Sequence, residues 1–487
     1  MSAPWEMICG LEVHVQLATR SKLFCSCGTD GFGASPNSRI CPVCTGQPGV
    51  LPVLNGEAAK LAVKAALALG CEIRDESIFA RKNYFYPDLP KAYQISQYEK
   101  PLAENGALAV AAKDVPSKTV GLQRIHMEED AGKLLHAIGS EELDYSLVDF
   151  NRAGIPLVEI VSKPDIRSSQ EAYAYLQALK EILQFAGVSR CDMEKGEMRV
   201  DANISMRRTG EPFGTRVEIK NLNSFKAVRA ALDYESRRQT AALEKGARVV
   251  QETRLWDADA QATAPMRSKE EAHDYRYFPD PDLPPLRTPR SLVEAMRREL
   301  PELPEARRRR FVEEYGLSNS IAEVLTSSRE MADYVDAVAA ITNPVTATPV
   351  AGNLIATVLL GILSERNLDL SRCLESVPPE SLGKLTLMIA DGRVSKSMGK
   401  DILAEMLASG RGPEEILRDS GGGQVQDVAQ LAQWVRAAIQ QSPKAVADVK
   451  SGKERAIGAI VGAAMRLSQG KANPAILNKL IKEEILK

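Results

Sequence analysis

The sequence lacks long apolar runs. No stretch approaches the ~20 residues that a membrane-spanning helix requires, and the most tempting, Ala456 to Met465, is short and rich in small residues. A membrane role is therefore not expected. The first residues, MSAPWEMICGLEVHV, carry neither a basic start ahead of an apolar core nor an Arg-rich amphipathic pattern. No signal or transit peptide is read, and the cytoplasm is the expected compartment. An excess of one charge is also missing. The formal net charge is −2, from 62 Lys and Arg against 64 Asp and Glu. That excludes a uniformly basic nucleic-acid coat but permits local basic faces, which are what phosphate backbones need. No G-x-x-x-x-G-K-[ST] occurs, and no kinase Gly-rich loop with its catalytic set, so any ATP site is not of a common type. Aromatic residues make up only 5%, which makes a local cluster of them informative.

What is present organises into three parts. The chain has 487 residues, 44% hydrophobic and 26% charged, ample for more than one core. Up to about residue 290, short period-two apolar runs alternate with turn signals around helical windows at Gly56–Leu69, Gln170–Gly187 and Ser224–Gly246. This reads as α+β. Pro279, Pro281, Pro284, Pro285 and Pro289 then forbid regular structure and mark an extended linker. Residues 291–409 recur at helical spacing and form an expected all-helical domain. Gly410, Gly412 and Gly421 to Gly423 mark a second break, and 410–487 reads as a small helical tail whose last helix opens at Asn473 and Pro474. From Pro443 onward nine Lys or Arg face four Asp or Glu. Lys450, Lys453, Arg455, Arg466 and Lys471 are the candidate contacts to a nucleic-acid backbone, set against the plainer reading of a solvated helix face.

Two clusters carry chemistry. Cys25, Cys27, Cys41 and Cys44 form a C-x-C and C-x-x-C pair across a loop rich in Gly, Ser, Asn and Pro, a spacing that suits tetrahedral zinc in a structural role. Separate reduced thiols, or a redox pair at Cys41 and Cys44, are the alternatives. The second cluster is acidic. The run RIHMEEDAGK sets Glu128, Glu129 and Asp130 side by side among Arg124, His126 and Lys133, and adjacent carboxylates repel unless a cation sits among them. In ICGLEVHVQL, Leu11, Val13, Val15 and Leu17 take one face of a strand and Glu12, His14 and Gln16 the other. Glu159 interrupts the apolar run GIPLVEIVS. Arg199, Asp201, Asn203 and Ser205 share one face, and Arg216, Glu218 and Lys220 another. Any one such strand can simply meet solvent. Several together, each bearing an acid, point to a divalent metal, and Mg(II) commonly bridges carboxylates to substrate phosphates. His14 is softer than Mg(II) prefers, which leaves Mn(II) or action through water open. Between Arg81 and Gln97, cations Arg81, Lys82 and Lys91 mingle with Tyr84, Phe85, Tyr86 and Tyr93, a mixture able to hold an adenine or a nucleic-acid end, or to fill a core.

The segments GLEVHVQL, RKNYFYPDLPKAYQISQ, HMEEDAGK, PLVEIVS, DANIS, EIKNLNS and DYRYFPDPDLPP, in this order through essentially the whole chain, resemble the B subunits of the bacterial tRNA-dependent amidotransferases. The resemblance implies a cradle-shaped catalytic domain of mixed β-sheet with helices, then a helical domain and a small helical tail. It implies conversion of Glu-tRNA(Gln) to Gln-tRNA(Gln), of Asp-tRNA(Asn) to Asn-tRNA(Asn), or both, with ATP and Mg(II) used to phosphorylate the side-chain carboxylate of the tRNA-bound amino acid. Ammonia then displaces phosphate. It places Glu12, His14, Glu129 and Glu159 at the metal, Glu128 and Asp201 behind or beside them, and Lys82 and Lys220 at phosphate. It assigns Cys25, Cys27, Cys41 and Cys44 to zinc and the basic tail to tRNA. No amidase-like Ser and Lys arrangement is present, so ammonia is expected from the amidase, or A, subunit of a heterotrimer that a small C subunit ties together.

Two rival readings stand beside this one. Arg393-Val-Ser-Lys-Ser-Met-Gly-Lys400 resembles the mobile Lys-Ser loop of class I aminoacyl-tRNA synthetases, but their His-x-Gly-His signature is absent, and the segment reads as a turn before a helix starting near Asp401. The other rival is a non-catalytic tRNA-binding scaffold, which ATP turnover dependent on charged tRNA would exclude.

Overall fold

In the computed structural model the first strand, β1 (Trp5–Gln16), buries Leu11, Val13 and Val15 completely and turns Glu12, His14 and Gln16 to its other face. The structure describes residues 3–112, 115–139, 141–266, 275–343, 346–368, 370–420, 428–451, 453–468 and 472–485. After β1 come β2 (Glu72–Ile73), β3 (Glu76–Ser77), β4 (Ala80–Asn83), β5 (Tyr93–Ser96), β6 (Ala103–Ala112), β7 (Val115–Glu129), β8 (Lys133–Ile138), β9 (Glu141–Asp149), β10 (Pro156–Ser162), β11 (Met198–Arg208), β12 (Val217–Leu222), β13 (Thr253–Asp257), β14 (Ala262–Pro265), β15 (Phe278–Pro279) and β16 (Leu286–Arg287). Among the described residues, nine strands form one sheet in the order β14-β13-β12-β11-β1-β10-β7-β6-β2, antiparallel except between β12 and β13. The fold is α+β, and β1 sits at the middle of the sheet.

The apolar face of this sheet is covered by helices. Leu11 and Val13 share one core with Leu61 of α1 (Gly56–Ala68), Leu176 and Leu179 of α2 (Ser169–Phe185) and Leu232 of α3 (Phe225–Glu244). Each such side chain contributes roughly 1.5–3 kcal/mol on full burial. The helices begin where their caps say. Asn55 accepts from the Glu57 and Ala58 amides, Ser168 from Glu171 and Ser224 from Ala227, satisfying N–H groups that a first turn leaves open. Gly187 and Gly246, at φ +66° and +75°, close α2 and α3 in the left-handed region.

The proline-rich segment is extended, as its residues require, but it is pinned. Phe278–Pro279 pairs with β4 and Leu286–Arg287 with β3, while Arg81 donates to Asp280 and Asp282 at 2.8 Å each. The next helix, α4 (Arg290–Glu299), adds Met296 to the same core. The first compact unit therefore runs to Leu303, past the boundary expected near residue 290, and the second spans Pro304–Lys487.

The second unit is helical. Its helices are α5 (Pro304–Glu313), α6 (Asn319–Leu325), α7 (Arg329–Ala339), α8 (Thr348–Leu354), α9 (Leu360–Arg366), α10 (Leu370–Ser376), α11 (Pro379–Ala390), α12 (Lys396–Ser409), α13 (Pro413–Asp419), α14 (Val428–Gln441), α15 (Pro443–Lys450), α16 (Ile457–Leu467) and α17 (Pro474–Ile485). One π turn, Ile355–Leu359, joins α8 to α9. The continuous stretch Thr348–Arg366 is long and apolar enough to cross a membrane by length and composition, with a mean hydropathy of 1.4. Its Ala351, Leu354, Ile355, Leu359 and Leu363 are buried within the unit, so it serves as a core helix. Polar Asn353 and Thr357 interrupt the run in sequence, which is why no spanning segment is read there. Of the last four helices, α14, α16 and α17 build a separate core from Leu431, Val435, Ile457, Ile460, Leu477 and Ile481, against which α15 packs Val446 and Val449. Gly410 ends α12 at φ +69°, whereas Gly421 to Gly423 lie outside the described residues. The Arg393–Lys400 segment is the start of α12: the Ser395 hydroxyl accepts the Met398 amide at 3.1 Å, so the helix begins at Lys396 rather than Asp401.

Asp336 on α7 ties this unit together. It accepts from Arg307 at 2.6 Å, from Arg310 at 2.8 Å and from the Tyr315 hydroxyl at 2.7 Å. Burial raises its pKa, but these partners outweigh burial and hold it below its ordinary value of 3.8. A depressed carboxylate contributes stability that is present above the unfolded value and lost as pH falls through the folded one. Asp336→Asn is expected to destabilise the helical unit by about 2 kcal/mol at pH 7 and to remove part of its acid sensitivity. Urea melts of the full chain between pH 3 and pH 7 check this, and an unchanged pH profile would refute it.

Candidate active site and metal centres

Antiparallel pairing sets side chains of neighbouring strands opposite one another on a shared face. His14 on β1 opposes Glu159 on β10, which opposes His126 on β7; two residues along, Gln16 opposes Leu157, and Leu157 opposes Glu128. On the other flank of β1, Glu12 opposes Asp201 and His14 opposes Arg199. The alternation that packs one face of β1 therefore gathers acids and imidazoles from distant segments on the other.

His14 Nε2 lies 3.4 Å from Glu128 and 3.6 Å from Glu159, and His126 Nε2 lies 3.0 Å from Glu159. Glu128 and Glu159 are only 2% and 8% exposed, and a buried carboxylate is costly unless it is paired. Burial opposes a charge on His14, but the hydrogen bond to Glu159 and the charges of Glu128 and Glu159 prevail and push the imidazole up to about 9. Glu159 is held well below the carboxylate range in spite of its burial, chiefly by His126 and then by His14. Donor atoms of His14, Glu128 and Glu159 all fall within 4.8 Å of one another. Two carboxylates and one imidazole at that spacing fit a divalent cation bound at ~2.0–2.2 Å.

The other residues expected from the sequence divide around this cluster. Glu12 stands next to it, accepting from Asn203 Nδ2 at 2.9 Å; burial and then the nearby Glu159 raise its pKa. Glu129 faces away: its carboxylate pairs with Lys91 and accepts the Ile95 amide at 2.9 Å. The structure thus puts Glu128, and not Glu129, beside His14 and Glu159. Asp130 is clamped by both terminal nitrogens of Arg199 at 2.9 Å and by Gln16 at 2.9 Å. Lys220 sits between Asp201 at 3.5 Å and Glu218 at 3.4 Å. A register shift next to Asp201 and a left-handed Asn221 at φ +66° aim it there. Lys82 Nζ lies 4.8 Å over the Tyr275 ring. Tyr275 packs edge-on against Tyr84 and Tyr277, and Tyr277 stacks on Tyr98 with centroids 4.3 Å apart. Burial, then the charges of Glu128 and Glu159, raises the Tyr277 hydroxyl. The sequence pattern does not single out His126, Asn203 and Tyr277 as site residues; for His126, its two-residue spacing from Glu128 is the available signal.

The four cysteines converge. One sulfur from each of Cys25, Cys27, Cys41 and Cys44 lies within 4.8 Å of the others, which fits a tetrahedral thiolate site for zinc. Cys44 Sγ accepts the Cys41 amide at 3.2 Å and lies 3.6 Å from Lys22 Nζ. Hydrogen bonding with Cys25 is the main cause that lowers the Cys44 thiol to about 4, against burial and with help from the Cys41 amide and Lys22. Lys22 is 0% exposed and also donates to the carbonyls of Arg39 at 2.7 Å and Phe150 at 3.3 Å. In the tail, Lys450, Lys453, Arg455 and Arg466 are exposed, with Lys453 paired to Asp448 at 3.0 Å. Lys471 lies outside the described residues.

Comparison with known proteins gives this geometry a context. Residues 7–294 match the GatB/GatE catalytic domain and residues 333–485 the GatB domain. The chain is 50% identical over 485 residues to the B subunit of the aspartyl/glutamyl-tRNA(Asn/Gln) amidotransferase of Carboxydothermus hydrogenoformans, covering 99% of each. It is 49% identical over 482 residues to that of Moorella thermoacetica, covering 99% of this chain and 100% of the relative. The B subunit of the Brevibacillus brevis enzyme is likewise 49% identical over 482 residues, 98% of each.

Proposed function

Because the chain belongs to the GatB/GatE family, as a B subunit of the tRNA-dependent amidotransferases, we propose that the cluster on the polar sheet face is where a tRNA-bound carboxylate is activated by ATP. The family's reaction is the transamidation of misacylated tRNA, a carbon–nitrogen ligation in class EC 6.3.5.-. A carboxylate is a poor electrophile until one oxygen becomes a leaving group. Its oxygen attacks the γ-phosphorus of ATP, the bond to the β,γ-bridging oxygen breaks, and ADP departs. Ammonia then attacks the acyl carbon of the resulting acyl phosphate, phosphate leaves with the carbon–oxygen bond, and a proton is released. No protein nucleophile is required.

The observation that carries this reading is the set of His14 and the buried Glu128 and Glu159 within 4.8 Å. Mg(II) held there would neutralise phosphate charge during transfer, where positioning and electrostatics supply most of the catalysis. Glu12 flanks it, Asp130 fixes Arg199 beside it, and the tyrosines beside Lys82 form a wall for a base or a tRNA end. Zinc on the four cysteines is structural. The basic tail grips tRNA(Gln) or tRNA(Asn) through phosphates. An amidase, the A subunit of the enzyme, supplies ammonia, and with a small C subunit the three form a cytoplasmic heterotrimer.

The test is phosphate release from ATP by the chain assembled with its A and C partners, with ammonium as nitrogen donor. Glu-tRNA(Gln) and Asp-tRNA(Asn) are each compared with uncharged tRNA. Hydrolysis and amide formation with a misacylated tRNA alone are expected, and the productive one names the substrate. Binding of charged tRNA without turnover would instead support the scaffold reading.

A further inference from the structure

Arg124 lies on β7 two residues before His126, and so on the same sheet face as His126 and Glu128. The acid opposite it on β6 is Glu104, but Glu104 is held by Arg74. Among the described residues, the Arg124 guanidinium has no ion pair and no hydrogen bond, and its Nε is buried without a partner. Two more groups at this end of β7 are in the same condition. One is His126 Nδ1, on a residue 3% exposed; the other is Nε2 of Gln97, 1% exposed, whose Oε1 accepts the Met127 amide at 3.0 Å. Arg124 Nε and Gln97 Nε2 are buried donors left open, which is costly, and both call for acceptor oxygens; His126 Nδ1, whose ring already meets Glu159 through Nε2, can take either role.

Register shows where a ligand bearing such oxygens fits. Arg124 opposes Val161, and Val161 opposes Glu12. The row beside His14, Glu159 and His126 thus has a cation at one end, an acid at the other and a valine as its floor. With neighbouring strands ~4.8 Å apart, Arg124 and Glu12 lie about 10 Å apart across Val161, room for a tetrahedral group directly beside the cation site. Lys220, by contrast, is already flanked by Asp201 and Glu218.

We propose that Arg124 binds the phosphoryl group in transit: the γ-phosphate of ATP before transfer and the acyl phosphate after it. The inference rests on the ATP-dependent reading of this site. As the substrate oxygen bonds to phosphorus and the bridging oxygen leaves with ADP, charge stays on the three equatorial oxygens. A planar guanidinium can donate to two of them at once, which an ammonium cannot match.

The experiment uses the assembled three-subunit enzyme and measures calorimetric binding of AMP-PNP and of ADP, each with Mg(II). Arg124→Ala is expected to weaken AMP-PNP about 10- to 100-fold and ADP less than about threefold, with kcat for phosphate release down about 1,000-fold. Arg124→Lys, which keeps stem and charge, falls between and covers the case in which the alanine variant misfolds. Added ethylguanidinium restores part of the activity of Arg124→Ala, which a purely structural defect would not permit. Equal weakening of both nucleotides, or of neither, overturns the proposal. A wild-type enzyme without charged-tRNA-dependent phosphate release removes the underlying reading and the proposal with it, whereas an active wild type with undiminished AMP-PNP binding in Arg124→Ala removes only the role of the arginine.

Discussion

Glu159→Gln is expected to abolish phosphate release in the assembled enzyme, by at least about 1,000-fold, while tRNA affinity stays within about threefold, since the proposed tRNA contacts are basic residues that are not part of the cluster. Glutamine keeps the volume, so β10 stays packed between β1 and β7 and no cavity opens. What goes is the charge. One oxygen of Glu159 lies 3.0 Å from His126 and 3.6 Å from His14, so a single carboxylate meets both imidazoles and is one of the three donors proposed for the cation. Its amide replacement would leave Glu128 and His14 alone to hold the proposed cation. Phosphate release, radiolabelled tRNA filter binding and Mn(II) binding followed by electron paramagnetic resonance read the three consequences separately. Retained turnover, or tRNA affinity lost together with turnover, would show that the reacting groups lie elsewhere.

The polar face is legible in the sequence because a period-two strand states its own sides: once Leu11, Val13 and Val15 pack, Glu12, His14 and Gln16 have one direction left. The helices over the other face are legible for a local reason too, since Asn55, Ser168 and Ser224 cap within three residues of themselves. Choosing between Glu128 and Glu129 is harder. A run of three acids carries no phase of its own; the phase comes from β7 pairing with β10, which sets Leu157 against Glu128 and Pro156 against Glu129. His126 holds that phase in plain view, two residues away. The proline segment reads both as extended and as a boundary, because composition reports backbone freedom and is blind to the clamp between Arg81 and Asp280, about 200 residues apart. Tyr277 is positioned by the neighbouring pairing of Phe278–Pro279 with β4. Lys220 as a phosphate ligand shows the converse problem. Its charge is plain from its identity, and so is Glu218 on the same strand face, but Asp201, which meets it from the neighbouring strand, is not.

Cys44→Ser is expected to leave the purified chain with less than about 0.1 equivalent of zinc and to lower the first unit's melting temperature by roughly 10 °C. The argument turns on Lys22. A fully buried ammonium is tolerated because three acceptors surround it, and only one of them, Cys44, brings negative charge. Serine at this position stays neutral, so the variant loses a metal ligand and also strands a buried cation, a defect that by itself costs several kcal/mol. Chelation of zinc from the wild type removes the metal but leaves the Cys44 thiolate against Lys22, and should therefore lower the melting temperature less than the substitution does. The loop is also tied to the sequence that leads into β10. Asn37 bonds Asp149, Val148 and Phe150, the Arg39 amide donates to Asn151, and Arg152 holds the carbonyls of Ala131 and Gly132 just beyond Asp130. Loosening it shifts the end of β7 that carries Glu128, so phosphate release should fall about tenfold, as expected for misplacement of a group and not for its removal. Metal content by mass spectrometry and melting followed by circular dichroism decide the matter: a zinc-free Cys44→Ser chain that melts with the wild type would reduce the four cysteines to neighbouring thiols.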